Sequence, residues 1–123
     1  MLTDTTFWID LLDERRLKRP GAASGFIGAH RAFRFRVSIV TWAELAEGFA
    51  SPHEVMILLR GVKLLSVPQQ VAWEASRIAR EISGQRLGEN DNWIAATARV
   101  WGLRLVTRDS AFDRVPNLRV LNY

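Results

Sequence analysis

The chain has 123 residues, no cysteine, 48% hydrophobic and 24% charged residues, and a formal net charge of +4. That length suits one domain spanning residues 1–123, the apolar content excludes a disordered chain, and the lack of cysteine excludes disulfides and thiolate metal centres. No apolar run approaches the ~20 residues of a membrane span, and Asp4 and Asp10 interrupt any secretory leader, so a cytoplasmic protein is expected.

Leu2 and Thr3 read as a very short first strand. A helix follows from about Thr5 to Leu17, with Phe7, Trp8, Leu11 and Leu12 on one apolar stripe. "RPGAASG" reads as a loop on its glycines and proline, and a basic helix is expected over about Phe26 to Phe33, carrying His30. "FRVSIV" is a buried strand rich in β-branched residues. "TWAELAEGF" opens a helix in which Thr41 and Glu44 have capping-box spacing. Pro52 sits in the first turn of the next helix, to about Arg60. "VKLLSV" is the third strand, and Pro68 opens a helix that Gly84 ends. "GENDNW" begins a helix to about Trp101, stopped by Gly102. "LRLVT" and "NLRVLN" are the fourth and fifth strands. Strands alternating with helices argue for an α/β domain, a mainly parallel five-stranded sheet covered by helices on both faces.

Ligands bind such sheets beyond the carboxyl ends of the strands. Asp4 follows the first strand, Glu44 the second by one helical turn, and Asp109 the fourth. All three therefore belong to one edge of the domain. Each alone is explained by helix capping, since acids suit helix N-termini. The third strand leads into "SVPQQ" without an acid, so the architecture does not demand one. Together the carboxylates repel, and a hard divalent cation such as Mg²⁺ or Mn²⁺ would remove the conflict. Zinc is disfavoured, because only His30 and His53 are available and their spacing is wrong. Asp91 starts a helix that follows another helix, so topology alone does not place it.

Several segments together resemble the PIN-domain ribonucleases, most of all the toxin half of VapBC toxin–antitoxin pairs. They are "LTDTTFWIDLL", "VSIVTWAELAEG", "NDNWIAATARVWGLRLVTRDSAF" and "LRVLNY", in the family's order and spacing. The resemblance implies a three-layer PIN-like fold and Mg²⁺- or Mn²⁺-dependent cleavage of RNA by Asp4, Glu44, Asp91 and Asp109. It brings Asp91 into the set. Asp4 and Asp91 are read as direct ligands, Glu44 and Asp109 as ligands directly or through water. It also implies a homodimer inhibited by a small antitoxin. Thr6 stands where the family often has Asn or Ser, and Thr107 matches a position expected to orient the site.

Arg15, Arg16, Lys18, Arg19, Arg31, Arg34 and Arg36 crowd the first third. Arg15, Arg16, Arg31 and Arg34 are the RNA-binding candidates, against the alternative of solvated helix faces. Asp10, Asp13 and Glu47 read as solvated helix charges, against the alternative of lining the groove, and Asp113 as a loop charge near Asp109. Trp8, Trp42, Trp73, Trp93 and Trp101 read as core residues on apolar stripes. One rival reading is a receiver-type phosphoacceptor domain, which needs an Asp after the third strand and a late Lys, both lacking. The other is a non-catalytic RNA- or antitoxin-binding module, opposed only by the intact acid set.

Overall fold

The computed structural model describes residues 1–123. Five parallel strands form one sheet in the order β3-β2-β1-β4-β5. They are β1 (Leu2–Thr3), β2 (Arg36–Ser38), β3 (Lys63–Leu65), β4 (Leu105–Val106) and β5 (Val120–Leu121). Six α-helices cover it: α1 (Thr5–Arg16), α2 (Ala22–Ala29), α3 (Ile39–Ala46), α4 (Pro52–Leu58), α5 (Gln69–Glu81) and α6 (Glu89–Val100). A 3-10 turn spans Ser110–Arg114. The architecture is the expected three-layer α/β/α sandwich.

The strands alternate their side chains between the two layers. Leu2, Leu65 and Leu105 face α5 and α6, where Val71, Ile78 and Ile94 complete one core. Val37 and Val106 face the other layer and meet Phe7, Trp8, Leu11 and Phe26 from α1 and α2. Phe7 anchors that layer, with the rings of Trp8 and Tyr123 edge-on at 5.5 and 4.9 Å.

The chain winds outward from β1 through β2 to β3, then returns to build β4 and β5 on the other side of β1. The winding reverses between β1 and β4. At such a switch point the helices on either side diverge and leave a crevice at the carboxyl ends of the strands.

Three local expectations fail for identifiable reasons. The second helix begins at Ala22 rather than Phe26, and ends before Arg31 and Arg34. Glu14 of α1 accepts hydrogen bonds from the amides of Ala23 and Ser24 at 2.9 Å, so a distant carboxylate starts this helix inside a stretch that reads as loop. The basic residues then lie beyond it, and His30 ends it with Nδ1 2.8 Å from the Phe26 carbonyl. The third helix begins at Ile39, capped by Ser38 Oγ, which accepts from the Thr41 amide at 3.0 Å. The capping box of Thr41 and Glu44 is therefore absent. Finally, Trp73 and Trp101 are 64% and 50% exposed and do not belong to the core.

Candidate functional site

Asp4 leaves the carboxyl end of β1 and caps α1, its Oδ1 accepting from the Phe7 amide at 2.9 Å. Capping is thus part of its role. It is also buried, at 3% exposure, and its Oδ2 accepts from the Thr107 hydroxyl across the switch point. Thr107 Oγ1 in turn accepts from the Asp109 amide at 3.0 Å. One hydroxyl therefore links the residues that follow β1 and β4. Asp109 is exposed and caps the 3-10 turn, accepting from the Ala111 amide at 2.8 Å.

Glu44 caps nothing. Its carboxylate accepts from the Thr5 hydroxyl and, at 3.0 Å, from Asn90 Nδ2. Asn90 precedes Asp91 in the first turn of α6, so this bond fastens α3 to the start of α6. Asp91 is half-buried in that first turn. Thr5, rather than Thr6, reaches the acid set; Thr6 is half-buried beside it.

Asp4 and Asp91 each feel the charges of neighbouring acids. Burial pushes the Asp4 carboxyl up to about 6, hydrogen bonds from Thr107 and the Phe7 amide oppose this, and the charges of Asp91 and Asp109 add to it. Burial also raises Asp91, and the charges of Asp109 and Glu44 raise it further. No Arg, Lys or His pairs with any of the four; the ion pairs involve only Arg77, Arg99 and Arg108. No ion pair therefore offsets the repulsion inside the set, and the hydrogen bonds and helix N-termini offset only part of it.

This donor set suits a hard cation: all ligating atoms are oxygens and no cation competes for them. No three acidic or imidazole side chains converge closely enough to enclose an ion. A groove of about 170 Å³ between α1 and α3 reaches Glu44 and is lined also by Asp13, Arg16 and Phe49.

Sequence reasoning missed Asn90 and Thr5, although both adjoin candidates. Asp10 is not the free solvated charge that its helix position predicts. Asp10 instead accepts from the Tyr123 hydroxyl at 2.6 Å and pairs with Arg108 at 3.0 Å, the residue before Asp109. Three of the basic candidates divide between two grooves. Arg16 lines the groove with Glu44, whereas Arg15 and Arg34 line a separate apolar-floored groove with Arg60. Arg31 is exposed after α2. No helix is long and apolar enough to cross a membrane.

The family model described as PIN domain matches residues 1–118. No curated protein matches the chain. Among solved structures, the chain is similar to VapBC2 from Rickettsia felis bound to a promoter DNA fragment, with 20% identity, 98% of this chain and 96% of that chain covered, and a TM-score of 0.83. A toxin–antitoxin complex from Klebsiella pneumoniae shows 26% identity, coverage of 98% and 94%, and a TM-score of 0.73. Mycobacterium tuberculosis VapC20, described as a sarcin–ricin loop cleaving toxin, shows 18% identity, coverage of 91% and 92%, and a TM-score of 0.65.

Proposed function

Because the chain belongs to the PIN-domain family, we propose that it is a cytoplasmic, metal-dependent endoribonuclease, a single unit over residues 1–123 that serves as the toxin of a toxin–antitoxin pair. The observation that carries this reading is the set of Asp4, Glu44, Asp91 and Asp109 at the switch point, four carboxylates with no protein cation among them. The similar VapBC and Klebsiella complexes support an antitoxin partner, and the description of VapC20 supports RNA as the substrate. A homodimer accompanies the same reading.

Asp4 and Asp91 would hold Mg²⁺ or Mn²⁺ directly, and Glu44 and Asp109 directly or through water. When bound, such an ion neutralises charge developing on a phosphoryl oxygen and lowers the pKa of water. The protein's own part is positional. Phe7 N–H and the Thr107 hydroxyl fix both oxygens of Asp4, leaving each with a further acceptor site. Thr107 also fixes the start of the Asp109 loop, and Thr5 with Asn90 fixes Glu44. Groups held this way need no rearrangement as charge builds up, which is the basis of electrostatic catalysis. The carboxylates themselves repel a phosphate backbone, so arginines near the set, Arg16 above all, are needed to admit RNA.

The deciding experiment is cleavage of single-stranded and structured RNA by the purified protein with Mg²⁺, Mn²⁺ or EDTA. Cleavage with either ion and none with EDTA is expected. Cleavage undiminished by EDTA would reject the metal mechanism. RNA binding without cleavage under any ion would favour the non-catalytic module.

A further inference from the structure

Arg36 on β2 and Lys63 on β3 are direct register partners. Arg36 is also in register with Leu2, which packs into the core beneath α5 and α6. The two cations therefore leave the sheet side by side on that face, at the amino ends of the strands. Like charges directly opposed across a strand pair weaken the pairing. Neither joins an ion pair, and none of the residues lining the cavity they share is acidic. A lysine on an edge strand hinders pairing with another chain, which accounts for Lys63. It does not account for Arg36, because β2 is paired on both sides. The C-terminus of α6 is close by but offers only about half a negative charge against two positive ones.

Arg36 and Lys63 line a cavity of about 320 Å³ together with Leu65, Ser66, Trp101 and Leu103. Trp101 ends α6 with half of its surface open. A guanidinium and an ammonium side by side suit a phosphate. An open indole face suits a nucleobase, which stacks whatever its identity. An acidic peptide would satisfy the cations but leave the indole without a role. We infer that this cavity is a second nucleotide site, taking the phosphate of a single RNA strand between Arg36 and Lys63 and stacking its base on Trp101. The site is remote from the acids. Asp91 lies in the first turn of α6 and Trp101 ends it ten residues later, about 15 Å along the axis at 1.5 Å per residue. It shares with the proposed function the reading that RNA is the ligand, but it does not depend on cleavage.

The test is binding of a fluorescein-labelled oligouridylate to the full chain in EDTA, followed by anisotropy over a range of salt. Arg36→Gln with Lys63→Gln is expected to weaken binding at least tenfold and to flatten the salt dependence by about one unit per lost contact. Trp101→Ala should weaken binding severalfold with the slope unchanged, and Trp101→Phe should restore most of it. Uridine monophosphate should displace the probe at lower concentration than inorganic phosphate. Wild-type affinity and slope in the double variant would overturn the site, as would polyglutamate competing as well as RNA, or equal potency of the nucleotide and phosphate. Lys63→Gln alone, on the exposed edge strand, provides the same slope readout should the double variant fold poorly. Cleavage with Mn²⁺ is measured in parallel. Variant-sensitive binding without wild-type cleavage removes only the nuclease reading; wild-type cleavage with variant-insensitive binding removes only this site.

Discussion

Asn caps a helix about as well as Asp, so Asp4→Asn separates the two roles that Asp4 combines. Its amide oxygen can still accept from the Phe7 N–H, and its amino group can donate to Thr107 Oγ1. The predicted outcome for Asp4→Asn, and for Glu44→Gln and Asp91→Asn, is loss of metal-dependent cleavage with a metal-free melting temperature unchanged or raised. Full activity in Asp4→Asn and Asp91→Asn would reduce these acids to structural groups. A pH dependence follows from the same residue. Folding raises the Asp4 pKa from 3.8 to about 6, so the folded chain binds the extra proton between those values. Stability therefore falls as pH rises from about 4 to about 6, and the full deficit persists above that. At 1.36 kcal/mol per pKa unit the deficit has an upper scale of about 3 kcal/mol. Urea unfolding in EDTA from pH 4 to pH 7 should show that Asp4→Asn loses this decline. Superimposable profiles for the two proteins would refute it.

At the scale of elements, the start of α2 depends on Glu14 of the preceding helix. Partial burial pushes the Glu14 pKa up, but hydrogen bonds from Ser24, Ala23 and Gly21 outweigh it and hold the carboxyl below its usual range. The sign is opposite to that of Asp4. The contribution of Glu14 is present above its unfolded pKa and is lost as pH falls through the lowered value. Glu14→Ala is expected to destabilise the protein on the scale of a lost N-cap, about 1 kcal/mol, and to speed hydrogen exchange at the Ala23 and Ser24 amides. Unchanged protection at those two amides would mean that α2 forms without its distant cap. Glu14→Gln, which keeps one acceptor, should fall between the two.

For the whole molecule, the two ends of the sheet carry opposite charge. Asp4, Glu44, Asp91 and Asp109 gather at the carboxyl ends of the strands, while Arg36 and Lys63 are opposed at the amino ends. A ligand that binds only the folded chain stabilises it by mass action, about 2.7 kcal/mol at a hundredfold excess over its dissociation constant. Mn²⁺ should therefore raise the wild-type melting temperature saturably, and raise it far less in Asp4→Asn and Asp91→Asn. Equal shifts in all three proteins would show that the ion binds elsewhere.

The alternation of strands and helices was readable along the chain, because period and turn residues are local properties. So were the sheet's parallel sense and the edge on which Asp4, Glu44 and Asp109 fall, since every parallel strand followed by a helix delivers the next residues to the same side. The identity of the actual caps was not readable. Thr41 and Glu44 have capping spacing, but Ser38 lies closer to the bend, and that frees Glu44 for Thr5 and Asn90. Nor could local pattern place Asp91, which follows a helix rather than a strand; the family resemblance suggested its role, and the packing of α6 against α3 sets it beside the others. Trp101 sits at helical spacing from core residues, yet at the C-terminal end of α6 it lines the rim of the sheet beside Arg36 and Lys63 and stays half-exposed instead of entering the core. The opposed pair of Arg36 and Lys63 depends on strand register, 27 residues apart in sequence, which only the folded sheet decides.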